Sequence, residues 1–275
     1  MRTQLLGLCR FSYLGGRGFQ TAHPTLADRR AFLYDPARLA RRWTWFQRVA
    51  LPAWRAQSDP DFTLVVMTGP DLPEPWLGRL RALADEIPQL RLELVAPHDA
   101  HLDACWAAVR PHLDPSAEVI GHFRHDDDDA VAIDYVARAR ADFAASARLW
   151  RRHGRLCCDH ARGVVLRAGP DGVTVEPRLI HQATAALTIW LPPDQPATAV
   201  HFPHWQVALS MPVVTLAGQV MYARTLHHDN DSGAAGAGWR WPAPAGTDWG
   251  RLVSRRFAID LAGLDAAARA AGRGA

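Results

Sequence analysis

The run Phe62-Thr63-Leu64-Val65-Val66-Met67 constrains this chain more than any other local feature. It has the length of a strand and is apolar at successive positions, so both of its faces need cover. Asp59-Pro60-Asp61 turns the chain before it, and Pro70 to Pro75 breaks the chain after it. A strand buried on both faces belongs in a sheet with helices on either side, and the neighbouring sequence supplies them. Asp35-Pro36 reads as an N-cap acid followed by a proline at the first helical position. Leu39, Trp43, Phe46, Val49 and Ala50 then recur at helical spacing as far as Pro52 or a little beyond. Leu5 to Tyr13 precedes them as a first strand, ending in Arg10-Phe11-Ser12 and the turn Gly15-Gly16-Arg17-Gly18. Further on, Trp76 to Ile87 is helical, Leu90 to Val95 alternates as a strand, Ala104 to Leu113 is a helix and Val119 to Phe123 a strand. Tyr135 to about Arg152 is an alanine-rich, arginine-studded helix. This alternation predicts an α/β fold with a mixed, mostly parallel sheet and flanking helices.

The second half is more irregular. Leu156 to Leu166 and Val173 to Leu179 predict two strands joined at Gly169-Pro170-Asp171-Gly172. Pro192 to Pro212 is rich in Pro, His and Trp, and Val213 to Thr225 reads as a strand delivering His227-His228-Asp229-Asn230-Asp231. A mobile loop is expected at 233–246, and a helix from Asp265 onward. With no repeat and no linker, residues 1–275 are expected to form one domain in two halves, 1–153 and 154–275.

Composition removes several chemistries. The chain has no lysine: all 31 basic residues are arginine. Schiff-base enzymes, P-loop ATPases and lysine general bases are therefore excluded. A net charge of +3, without a basic run interleaved with aromatics, argues against nucleic acid. Cys9, Cys105, Cys157 and Cys158 lack C-x-x-C spacing, which fits neither a zinc knuckle nor a disulfide framework. No apolar stretch is long enough to span a bilayer, and the amino-terminal run is too short for a secretory core. The expected protein is soluble and cytoplasmic, with peripheral membrane contact left open.

The strand Val119 to Phe123 runs into Arg124-His125-Asp126-Asp127-Asp128-Asp129. Four consecutive carboxylates repel one another and call for protons, arginines or a metal. Loops at the carboxyl ends of strands are where open α/β sheets bind ligands. A hard divalent cation, Mg²⁺ or Mn²⁺, suits such oxygen donors and commonly bridges substrate phosphates. The plainer reading is a solvated loop in which Asp129 caps the next helix. Leu226-His227-His228-Asp229-Asn230, at the end of another strand, can add to a metal shell or form only a polar turn. The aromatics from Trp190 to Trp205 offer faces on which sugars stack, or else simply fill the core.

Taken together, Arg10-Phe11-Ser12, Arg42-x-x-x-Phe46 running into Leu51-Pro52, Ala56-Gln57-Ser58-Asp59-x-x-Phe62 and Arg124-x-Asp126-Asp127-Asp128-Asp129-Ala130 resemble the rhamnosyltransferase family over residues 5 to 232. The resemblance implies a GT-A-like (Rossmann-like) architecture with a D-x-D metal motif, the first half binding the nucleotide-sugar. Asp126 and Asp128 would be the D-x-D pair, the first near ribose or metal and the second on the metal. Asp127 and Asp129 satisfy the same spacing, so the frame stays open and Asp127 joins the candidate metal ligands. Arg10 and Ser12 would lie beside the nucleotide. His228, or its neighbour His227, with Asn230 matches the late histidine that closes such metal sites.

The implied reaction moves a sugar, rhamnose by the family's label, from a nucleoside diphosphate to a hydroxyl on a glycan or small-molecule acceptor. Charge developing on the departing diphosphate would be met by Mn²⁺ or Mg²⁺ and by arginines. An inverting reaction needs a carboxylate to take the acceptor proton, for which Asp159 and Asp194 are both candidates. The alternatives are a metal-dependent phosphoester or nucleotide hydrolase and a catalytically silent carbohydrate-binding or scaffold protein.

Overall fold

The computed structural model describes residues 1–15, 25–227 and 238–272. In chain order the elements are β1 (Thr3–Arg10), α1 (Leu26–Leu33), α2 (Pro36–Trp45), α3 (Leu51–Arg55), β2 (Thr63–Thr68), α4 (Trp76–Glu86), β3 (Leu90–Leu94), α5 (His101–Val109), β4 (Val119–His125), β5 (Ala130–Val131) and α6 (Tyr135–His153). They continue as β6 (Leu156–His160), β7 (Arg162–Gly169), β8 (Gly172–Leu179), β9 (Leu187–Leu191), β10 (Val213–Leu216), β11 (Tyr222–Leu226), α7 (Trp249–Phe257) and α8 (Leu261–Gly272).

The helix opened by Asp35-Pro36 forms as expected, with Asp35 Oδ1 accepting from Arg38 N at 2.7 Å. It passes through one wide π turn, Phe46–Ala50, before continuing as α3. That turn lies directly ahead of Pro52, whose ring would crowd the carbonyl one turn back in a regular helix. At the other end of the first half, α6 stops at Gly154, which takes φ 68° and donates its N–H to Trp150 O at 2.7 Å.

Seven strands form the main sheet in the order β10-β6-β9-β4-β1-β2-β3. The β1–β2, β2–β3, β1–β4 and β6–β10 pairs are parallel, whereas β9 runs antiparallel to both β4 and β6. Cover on both faces of β2 is as its sequence demands. Leu64 and Val66 join a core that includes Phe46, Val49, Trp54 and Phe123, while Val65 and Met67 join a second that includes Ala104, Cys105 and Ala108 of α5. A smaller sheet, β5-β11-β7-β8, stands beside the first. No described helix is long and apolar enough to cross a membrane.

The second half departs from expectation in an instructive way. Leu156 to Leu166 is two strands broken at Ala161, and Val213 to Thr225 is two strands broken at 217–221. Both chains switch sheets at the same level: β6 pairs with β10 in the large sheet, then β7 pairs with β11 in the small one. Ala161 N donates to Leu216 O at 2.9 Å and Met221 N to Arg162 O at 2.8 Å, which stitches the crossing together. The hairpin at Gly169–Gly172 forms where the turn residues place it. Leu187–Leu191, absent from the expected elements, is a buried strand, and α1 lies where none was expected. Of the loop expected to be mobile, 233–237 lies outside the described residues. Within the rest, Trp239 exchanges backbone hydrogen bonds with Leu179, and buried Trp241 donates to Gly163 O at 2.8 Å.

Candidate active site

Strand order reverses between β1 and β4, and at such a reversal the carboxyl ends of the strands diverge to leave a crevice. The register Leu8↔Arg124 and Cys9↔His125 brings Arg10 level with the start of the aspartate run. Asp126, half-buried, receives a bidentate grip from Arg124, with Nε and Nη2 at 2.9–3.1 Å, while Arg10 Nη2 stands 3.9 Å away. Burial opposes ionisation of Asp126, but Arg124 and then Arg10 outweigh it and hold the carboxyl below its usual range.

The remaining three aspartates are buried, at 1–4% exposure. They are not a solvated loop, and Asp129 caps no helix. The short pairing of β5 with β11, Ala130↔Ala223, sets the loop against Arg224-Thr225. Thr225 N donates to Asp129 Oδ1 at 3.0 Å, and Thr225 Oγ1 donates to Asp128 O at 2.8 Å. Burial, reinforced by Asp128 and Asp126, pushes the Asp129 carboxyl well above its usual range. Arg42, from α2, forks onto Asp127 and reaches Asp128 Oδ2 at 3.0 Å. His227 Nε2 lies 3.1 Å from the same Oδ2, and its ring stacks on Trp45 at 4.7 Å. Burial again opposes the charge on Asp128, and Arg42 and His227 together more than reverse it.

A cleft of about 560 Å³ opens beside this cluster, floored by Arg10 and Arg124 and walled by α5 and by residues 199–205. Arg10 Nη1 donates to His101 Nε2 at 2.9 Å. Burial, then Arg10 and Arg124, pull the His101 pKa down to about 4, so the ring stays neutral and accepts. His204 donates from Nδ1 to Gln182 O at 2.7 Å, which leaves its Nε2 as the acceptor nitrogen. Burial also lowers the pKa of His204. Trp205 is 67% exposed at the lip. Trp190, by contrast, is core, stacked on Phe143 at 4.2 Å.

Of the residues singled out in the sequence, the fold brings together Arg10, Asp126, Asp127, Asp128 and His227. Ser12 is buried at φ 46° and accepts weakly from Arg38 Nη1 at 3.4 Å, outside the cleft wall. Neither carboxylate considered as a base lines the cleft. Asp159 has no exposed surface and accepts from Gln182 N at 2.8 Å and Thr215 Oγ1 at 3.1 Å; Asp194 is exposed in the turn after β9. His228 and Asn230 lie outside the described residues. Asp128 and His227 supply a carboxylate and an imidazole to one point, which fits two positions of a divalent shell. Among the described residues no group of three such donors forms. Arg42 was visible in the sequence only through a spacing shared with a family, His204 only as part of the aromatic stretch from Trp190 to Trp205, and His101 carried no local signal.

A family profile described as "Putative rhamnosyl transferase" matches residues 4–238, and the chain belongs to that family. No curated protein matches the sequence. Among solved structures, S. aureus TarS 1–349 in complex with UDP is similar at 10% identity and a TM-score of 0.40, over 81% of this chain and 60% of that one. S. aureus TarS is similar at 11% identity and a TM-score of 0.42, over 82% of this chain and 37% of that one. The chain thus spans about 60% or less of the TarS chains it resembles.

Proposed function

We propose that this glycosyltransferase takes a nucleoside-diphosphate sugar at the crevice between β1 and β4 and transfers the sugar to a hydroxyl of a glycan or small-molecule acceptor in the adjoining cleft. The observation that supports this most is that Arg10 and Arg124, which meet Asp126 at the reversal of strand order, both line a cleft of suitable size. Arg10 and Arg124 carry forked donors suited to phosphate oxygens and would orient the diphosphate. Asp128 and His227 would hold Mn²⁺ or Mg²⁺, which when bound supplies a Lewis acid for the departing diphosphate. In the transfer, the anomeric C–O bond breaks with its electron pair going to the diphosphate oxygen, and the acceptor oxygen bonds to the anomeric carbon. The acceptor proton must leave to a base. His204 Nε2 is one candidate in the cleft, its other nitrogen being committed to Gln182. Asp159 and Asp194 remain the carboxylate candidates, and each would need a rearrangement to reach the cleft. Trp205 offers the exposed ring face on which an acceptor sugar stacks.

Calorimetry with a panel of nucleoside diphosphates, with and without Mn²⁺, tests the reading. Metal-enhanced binding that disappears in Asp126→Ala/Asp128→Ala is expected. Binding indifferent to both the metal and the substitutions would overturn the proposed donor site. Steady release of phosphate from simple esters would favour a hydrolase.

A further inference from the structure

A second concavity, of about 720 Å³, lies between the start of β7, the segment ahead of β11, and α7. It shares no lining residue with the cleft. Arg162, Arg251, Arg255 and Arg256 line it, and Asp248 is the one acid in its described wall. That acid is committed: its Oδ1 caps α7 by accepting from Arg251 N at 2.9 Å. Two of the arginines are anchored. Arg256 donates to Val220 O at 3.0 Å and to Asp134 Oδ1 at 2.8 Å. Arg162 lies 4.0 Å above the Trp241 ring and donates from Nη1 to Gly218 O at 3.5 Å.

The other two, Arg251 and Arg255, are exposed one turn apart on α7, with no acidic side chain paired to them among the described residues. The helix dipole accounts for arginines in the last turn, but it disfavours Arg251, which sits in the first. Placing like charges four residues apart adds repulsion. Cationic groups gathered against local electrostatics around one concavity describe an anion site. Several forked donors exceed the need of a single carboxylate and match the oxygens of one or two phosphate groups.

We propose that this groove binds a phosphate-bearing ligand, gripped by Arg251 and Arg255 with Arg162 in its wall. Two sources share that chemistry, a soluble phosphorylated compound and a phospholipid headgroup. The intact protein is titrated with tripolyphosphate in metal-free, low-salt buffer, and is separately floated with phosphatidylcholine vesicles with and without phosphatidylglycerol. Arg251→Ser/Arg255→Ser is compared with wild type in both arms, after its thermal unfolding is shown to match. Because the double variant leaves the cleft unaltered, any binding there is common to both proteins. A loss of about tenfold or more in tripolyphosphate affinity alone assigns the groove to a soluble phosphate. Loss of flotation with phosphatidylglycerol vesicles, with or without the first loss, assigns it to a headgroup. No binding by wild type, or equal binding by the two proteins in both arms, overturns the proposal.

Discussion

Replacing Arg42 with methionine removes the cation shared by Asp127 and Asp128 while keeping most of the side chain's volume. Arg42 donates from Nε to Asp127 Oδ2 at 3.2 Å and from Nη1 to Asp128 Oδ2 at 3.0 Å. The side chains of Arg42, Asp127 and Asp128 are 13%, 2% and 6% exposed, so water screens the pairs little. Breaking a buried pair from one side costs about 3–5 kcal/mol, because the surviving charge is stranded. His227 still faces Asp128, which places the expected loss near the lower end, about 3 kcal/mol. With a urea slope of about 3 kcal/mol/M for a chain of this size, the unfolding midpoint should fall by about 1 M.

The pH dependence of this loss has a definite sign. Asp128 is held below its usual range in the folded protein, against burial, by Arg42 first and His227 next. Such a carboxyl contributes stability that is full above its unfolded pKa, about 4, and is lost as pH falls through the folded value. Removing Arg42 raises the folded value. The deficit of the variant is therefore full near neutrality and shrinks as pH falls through the variant's own raised Asp128 value, where the stranded carboxyl takes up a proton. Urea titrations followed by tryptophan fluorescence at three pH values read this directly. A deficit below about 1 kcal/mol at neutral pH, or one that does not change with pH, would refute the argument.

Three further outcomes concern ligand binding and rate. Asp129 is buried and accepts from Thr225 N, a role an amide oxygen can fill, so Asp129→Asn should keep metal-dependent nucleotide binding while Asp128→Asn loses it. The reverse pattern in calorimetry would move the D-x-D pair to Asp127 and Asp129. Asp126→Asn weakens the hold on Arg10 and Arg124. In metal-free buffer it should bind a nucleoside diphosphate at least as tightly as wild type, and a clear loss would show that Asp126 itself contacts the nucleotide. His204→Ala should lower kcat by about 10²–10⁴ with donor binding unchanged. Since burial lowers its pKa, the acid limb of the wild-type rate profile should fall below the ordinary histidine range, near 6.5. A rate within about threefold of wild type would leave the proton to another group.

The parts of the fold legible in the sequence are those fixed by local chemistry. β2 shows itself because burial on both faces leaves a continuous apolar run, and α2 because Asp35 and Pro36 are start signals in their own right. Where Leu156 to Leu166 and Val213 to Thr225 divide is not local. The segments on either side of Ala161 both read as strands, and the break is set by which partner strand each one meets. β9 escaped for the same reason: its place between β4 and β6 depends on chain distant in sequence. In the site, four adjacent acids were visible as an electrostatic problem, but the answer lay elsewhere, in Arg42 on α2 and Thr225 on β11. His101 and His204 become site residues only because α5 and residues 199–205 fold over the same crevice.

The absence of lysine turns out to bear on how the acids are held. An ammonium loses its charge readily when buried beside another cation, whereas a guanidinium does not. Arg10 is in that position: burial first, and Arg124 next, lower its pKa from a value so high that it stays charged at any working pH. Asp126, Asp127 and Asp128 can therefore be sequestered as ions because Arg10, Arg42 and Arg124 remain ions beside them. Among the described contacts Asp129 has no arginine within ion-pair distance, and its carboxyl is the one pushed strongly toward its neutral form. Among the described residues, Arg10, Arg42 and Arg124 are thus already engaged with aspartates before any ligand arrives. A diphosphate brings negative charge that these arginines cannot meet while they serve the aspartates. On the proposed donor site, Arg10 and Arg124 would transfer from Asp126 to phosphate oxygens, or a cation would enter with the nucleotide at Asp128 and His227; in both cases the aspartate run would set how tightly the donor is held.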